Sequence, residues 1–268
     1  MPTITITTTI KDLPEECWEA VLKFLDHHRY FEPLSLVSKQ FLSITNRLRS
    51  SLLIRSDTLI SRLFSRIFNE APPSSFLLPF VLSLKSLTCI HFKFISIRDE
   101  FLFAIAESGL QFRKIELCNC HAYGYGVLKR CRKIRHLSLA HHSRRNLFGK
   151  VPGLEVLDLS YSEFDDSSLL TISKSCSGLL ELNLGHCCKI TTKGVKQAVT
   201  NFKQLREISL ISCDKVAHDV VAWMVSTKPS LRRILPPPRF GHSLKLKLME
   251  DERFKIVFHN PLPRDYMF

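Results

Sequence analysis

Residues 154–159 read LEVLDL, residues 179–184 LLELNL, residues 205–210 LREISL and residues 231–235 LRRIL. One apolar pattern, L-x-x-L-x-L, thus returns at intervals of 25, 26 and 26 residues. Each copy has the length of a short strand whose alternate side chains turn inward. Behind each stands a return segment with apolar residues at helical spacing: Leu169 and Ile172, then Val195, Ala198 and Val199, then Val220, Val221 and Met224. One such unit has too few apolar residues to bury alone, so the units must stack on one another. The fold predicted is α/β, an open solenoid with parallel strands on its concave face and helices on its convex face.

Working outward, the same pattern is legible as Leu87, Ile90 and Phe92, as Phe112, Ile115 and Leu117, and as Ile134, Leu137 and Leu139. That makes about seven repeats within residues 76–235. The two shortest, starting at Phe112 and Ile134, leave little room for a full convex helix, and Gly124 and Gly126 fall in one of those returns. Pro236, Pro237 and Pro238 end the ladder by withholding backbone donors. Beyond them Leu244, Leu246 and Leu248 alternate with lysines, and Phe254, Ile256 and Phe258 alternate again, so residues 236–268 read as a hairpin covering the open end.

The front of the chain has a different rhythm. After a Thr-rich start, Leu13-Pro14-Glu15-Glu16 opens a helix: proline suits the first turn, and the acids suit its positive end. Cys17, Trp18, Val21, Leu22, Phe24 and Leu25 give that helix an apolar stripe. The tract Asp26–Arg29 breaks the pattern, a second short helix is expected over Leu34–Ser38, and a third from about Lys39 to Ser50 buries Phe41, Leu42, Ile44 and Leu48. Residues 10–50 therefore form a three-helix module. Residues 51–75 link it to the solenoid through a helix over Asp57–Phe68, which covers the first repeat, and a boundary at Ala71–Ser75.

Composition narrows the functional classes. A hydrophobic share of 45% and a charged share of 24% are those of a folded globular chain. The most apolar stretch, Phe76–Leu84, is too short for a membrane span and carries Pro79. The N-terminus has neither a basic region nor an apolar core of secretory type, so an intracellular protein is expected. The formal charge of +13 permits an acidic protein, nucleic acid or phospholipid partner without choosing among them. Nine cysteines invite a metal site, but Cys120, Cys187 and Cys213 each fall eight residues after a repeat start. Equivalent positions in a repeat argue for small buried side chains, and Cys118, Cys120, Cys131 and His121 are the nearest approach to a zinc set.

No phosphate loop, H-E-x-x-H, G-x-S-x-G or C-x-x-C motif is present, and no catalytic residue or cofactor is expected. Asp165 and Asp166 form a carboxylate pair at a helix start, where capping explains them; Thr191, Thr192 and Asp214 stand at the same phase. Between Lys129 and Lys150 lie eight Lys or Arg and no acid. Arg135 lies between inward-facing Ile134 and Leu137 and is expected on the concave face, with Glu155, Arg206 and Arg232 at the same phase. The candidate substrate-binding residues are Arg132, Arg135, Arg144, Arg145, Glu155 and Arg206. An acidic segment of a partner protein, an ordinary solvated surface, and nucleic acid or phosphate remain open as explanations.

Leu13-Pro14-Glu15-Glu16, Val21, Phe24-Leu25 and Leu34-Ser35-Leu36-Val37-Ser38-Lys39-Gln40-Phe41 together resemble an F-box, with Phe41 where many members carry Trp. Cys187–Val195 (CCKITTKGV), and more loosely Cys213-Asp-Lys-Val, resemble the cysteine-containing class of leucine-rich repeats; the Thr-rich start resembles plant F-box proteins. The resemblance implies a non-catalytic, substrate-recognition subunit of an SCF-type ubiquitin ligase. Its F-box would dock on a SKP-type adaptor and through it on cullin and RING subunits, while its repeats hold a protein substrate. It places adaptor contacts at Leu13, Pro14, Val21, Phe24, Leu25, Leu36 and Val37. Some plant relatives bind a small-molecule glue in a long closed solenoid; about seven repeats make only an open arc, so none is expected here. The alternative is a repeat-based binding module with no role in ubiquitination.

Overall fold

The computed structural model describes residues 14–24, 28–55, 74–94, 97, 99–120, 130–142, 151, 153–240 and 255–256. Within them nine strands form one parallel sheet in sequence order: β1 (Ser51–Arg55), β2 (Cys89–Lys93), β3 (Lys114–Cys118), β4 (His136–Ser138), β5 (Val156–Asp158), β6 (Glu181–Asn183), β7 (Glu207–Ser209), β8 (Arg233–Leu235) and β9 (Lys255–Ile256). The register aligns the central leucine of each repeat: Ile115 with Leu137, then Leu157, Leu182, Ile208 and Ile234. Those residues, with the leucine before and after them in each motif, are buried, and one continuous core runs from Leu52 to Ile234. The expected stacking of repeats is present. The molecule is an open, mostly parallel α/β solenoid of the kind built by leucine-rich repeats.

Helices form return segments among the described residues. After α1 (Glu15–Phe24), α2 (His28–Ser35) and α3 (Lys39–Leu48) at the front come α4 (Ser74–Ser83), α5 (Asp99–Glu107), α6 (Asp166–Ser175), α7 (Thr192–Asn201) and α8 (Val220–Thr227). Asp165 caps α6 by accepting from the Ser168 amide, and Thr191 caps α7 at Gly194. Neighbouring returns are also bonded to each other. Asp166 accepts from the Thr191 amide at 2.8 Å, and one repeat later Thr192 accepts from the Ala217 amide at 2.7 Å. Asp214, expected to cap the next helix, does not. The capping position is occupied by Ala217, which has no acceptor, so α8 starts late behind Asp219 and has only eight residues.

Other details depart from expectation. The ladder begins at β1, in residues assigned from sequence to the linker. Helix α2 starts at His28 and contains Pro33; burial of Phe31 and half-burial of Leu34 against the module's small core hold it despite the missing amide. Leu42 is exposed on α3, and Thr45, whose hydroxyl bonds back to Phe41 O, takes a buried place instead. Residues 255–256 extend the sheet in parallel beside β8. The other arm of the expected C-terminal hairpin, the expected helix over Asp57–Phe68 and the returns containing Gly124 and Gly126 lie outside the described residues.

Candidate functional site

The three front helices have a core of their own, built from Leu22, Phe31 and Ile44 with Trp18, Leu34, Phe41 and Leu48 half-buried around it. Trp18 packs on Phe41 with ring centroids 4.9 Å apart. Charges tie the outside: Arg47 bridges Glu15 and Glu19 from α3 to α1. This leaves apolar side chains uncovered. Phe24 is 90% exposed, Leu36 81%, Val37 66% and Val21 47%. Pro14 is also exposed at the head of α1. Leu13 and Leu25 lie outside the described residues.

In the turns after the strands, the cysteine spacing proves to be part of a longer series. Cys120 Sγ donates to Phe92 O (3.3 Å), His142 Nε2 to Leu117 O (3.0 Å), Ser162 Oγ to Leu139 O (2.9 Å), Cys187 Sγ to Leu159 O (3.1 Å) and Cys213 Sγ to Leu184 O (3.0 Å). In five successive turns, then, a short donor satisfies the last core carbonyl of the preceding strand. Burial pushes the Cys187 thiol up to about 12 and the Cys213 thiol to about 11, so both stay protonated and unreactive at neutral pH. Among the described residues no group of three or more His, Cys, Asp or Glu could hold a metal ion. No described helix is long and apolar enough to cross a membrane.

The residues just ahead of these donors share a left-handed backbone: Asn119, His141, Tyr161, His186 and Ser212 all have φ between 50° and 61°. Three of them form a column: Tyr161 stacks between His141 at 4.5 Å and His186 at 4.1 Å, with the rings within 9° of parallel. Burial lowers the pKa of His141, and the charge of Asp158 opposes that shift.

The sheet's open face, away from the helices, presents the alternate strand positions. Across β3 to β8 one row reads Lys114, His136, Val156, Glu181, Glu207, Arg233, and the next Glu116, Ser138, Asp158, Asn183, Ser209, Leu235. Burial would raise the Glu116 carboxyl, but hydrogen bonds and charge from His91 (2.6 Å) and Lys114 (2.7 Å) outweigh it and hold the group at about 2. Asp158 is fixed by Ser138 Oγ at 3.2 Å and the Ser160 amide at 2.9 Å. These acids belong to no motif in the sequence, and only the strict alternation of strand positions marks them.

The cationic candidates fall elsewhere. Arg135, Glu155 and Arg206 stand one residue before β4, β5 and β7, at the upstream edge of the sheet. Arg135 and Glu155 pair at 3.3 Å, and Arg135 Nη1 donates to Gly153 O at 2.8 Å. Arg132 is exposed in the turn before them, while Arg144 and Arg145 lie outside the described residues.

The class of molecule defined by this geometry is a parallel repeat solenoid, with an apolar helical face on its front module and a polar strand face along its repeats. No protein-family model and no curated protein matches the chain. Two solved structures are similar in part. A chain of the TLR13–ssRNA13 complex aligns at TM-score 0.48 and 14% identity over 73% of this chain, which spans only 30% of that one. A chain of the yeast Rad7–Elc1 complex aligns at TM-score 0.32 and 12% identity over 67% of this chain and 70% of the other.

Proposed function

We propose that this chain is the substrate-recognition subunit of an SCF-type ubiquitin ligase. The front helices act as an F-box on a SKP-type adaptor, which connects to cullin and RING subunits, and the repeats hold the protein substrate. One observation carries the reading: a module with so small a core leaves Val21, Phe24, Leu36 and Val37 in solvent, and these are positions at which the F-box resemblance puts adaptor contacts. Leu13, Pro14 and Leu25 join them by the same resemblance. Arg132, Arg135 and Arg206, with Glu155 among them and Arg144 and Arg145 by their place in the sequence, would take an acidic stretch of substrate. Such a subunit contributes proximity and no reactive group, raising the local concentration of substrate lysines at the ligase.

The test is capture of the purified chain by a SKP-type adaptor. The native chain should bind, and Phe24→Asp combined with Leu36→Asp should abolish capture while the circular dichroism of the repeats is unchanged. A native chain that ignores the adaptor would leave a repeat-based binding module outside ubiquitination.

A further inference from the structure

The open face of β5–β7 carries charge of the opposite sign to the chain as a whole. The chain is +13, yet the outward positions of these three strands hold Val156, Asp158, Glu181, Asn183, Glu207 and Ser209, three acids and no base. Glu181 and Glu207 lie directly side by side in register, an arrangement that costs stability unless a cation intervenes. Arg233 neutralises Glu207 from β8 at 3.1 Å, whereas Glu181 has no ion-pair partner among the described residues. With charges screened beyond about 8 Å at physiological salt, a ligand over β5 and β6 feels Asp158 and Glu181, with Arg233 offsetting Glu207, more than the bases farther along the chain.

In its row Asp158 is flanked by the uncharged Ser138, Asn183 and Ser209, and a Cβ on Gly185 would come within 3.2 Å of Asn183 Oδ1. The stacked rings of His141, Tyr161 and His186 stand at the downstream ends of the strands, with Tyr161 43% exposed. Carboxylates beside the exposed edge of Tyr161 suit a long cationic side chain, whose stem lies along that edge while its head meets the acid.

We propose that the open face of β5–β7 docks an extended lysine- or arginine-rich segment of the protein substrate, laid across the strands over Glu181 and Glu207 in one row and Asp158 in the next, beside the Tyr161 column at the downstream ends of the strands. The assignment rests on the reading of the repeats as the substrate-holding part and names the chemistry they select. Nucleic acid is disfavoured here by the same three carboxylates.

The probe is a fluorescein-labelled decapeptide of alternating lysine and alanine, titrated into the full chain by fluorescence anisotropy, with a glutamate–alanine decapeptide as control. The basic peptide should bind in spite of the chain's net positive charge. Glu181→Gln with Glu207→Gln should weaken it roughly tenfold, and Tyr161→Ala severalfold, with no effect of the Gln pair on the acidic control. No binding of the basic peptide, or binding indifferent to the Gln pair, overturns the proposal. Adaptor capture is measured on the same samples. If the native chain fails to bind the adaptor while the Gln pair still weakens the peptide, the ligase assignment falls and the docking face stands.

Discussion

Gly194 shows how closely neighbouring repeats are fitted to one another. In an ordinary helix alanine is better than glycine by about 1 kcal/mol. Here a Cβ would lie 2.0 Å from Asp166 Oδ1 and 2.3 Å from its Cγ. Asp166 would have to leave its bonds to the Thr191 amide (2.8 Å) and hydroxyl (2.5 Å). Gly194→Ala should therefore destabilise the protein, by about 1–3 kcal/mol in urea unfolding, against the sign that helix propensity gives. A variant more stable than the native chain would show that Asp166 is not holding the repeats together. The turn donors make a second test. Cys187→Ala leaves the Leu159 carbonyl buried and unpaired and should cost about 1–3 kcal/mol, while Cys187→Ser should cost clearly less, because Ser162 already fills this role one turn earlier. Equal losses would mean that volume, not the hydrogen bond, is what Cys187 supplies. The spacing of eight residues was enough to find three members of this series. His142 and Ser162 were hidden because the turn requires only a short donor, and residue type alone does not group histidine, serine and cysteine.

Among the elements, β3 carries the best-defined electrostatic cluster. Glu116 is held at about 2, well below its ordinary value of 4.5, by His91 and Lys114. Because its folded value is depressed, its contribution is present above pH 4.5 and is lost as the pH falls from there towards 2. Glu116→Gln should flatten the acid limb of stability between those limits, and an unchanged limb in urea titrations at several pH values would refute the assignment. Helix α8 offers the complementary case, a repeat without its cap. Ala217→Thr restores the acceptor that Thr191 provides to α7, and should add about 1 kcal/mol and slow amide exchange at the start of α8. The same comparison explains what the sequence could reveal about elements. The periodic leucines located β2 to β8. Strand β1 escaped because its step to β2, from Ser51 to Cys89, far exceeds one repeat, and because Arg49 stands where the other copies place the leading apolar residue. The open-face acids are hard to read for a different reason: the apolar pattern does not say at which residue each strand begins, so Arg135, Glu155 and Arg206, one position upstream, read as strand positions too.

On the scale of the whole molecule, the two cores divide the labour. The helical module has Leu22, Phe31 and Ile44, while the solenoid has the continuous stack from Leu52 to Ile234, and the two sets are separate clusters. The module's apolar exposure and the sheet's polar face are thus presented by bodies with different sources of stability. In a solenoid each repeat is supported only by its neighbours, so damage to a central repeat should spread along the ladder, whereas damage to the small module has no such route. Leu182, central in β6 and 2% exposed, and Ile44, fully buried in α3, separate these cases. Replacing either by Ala should cost about 2–5 kcal/mol locally. Hydrogen exchange should then find the amides of β5–β8 opened together by Leu182→Ala with α1–α3 unchanged, and only α1–α3 opened by Ile44→Ala. If Ile44→Ala opened the ladder as well, the front helices would be a cap on which the repeats depend, and their exposed apolar side chains could not be covered by a partner and released without consequence for the substrate face.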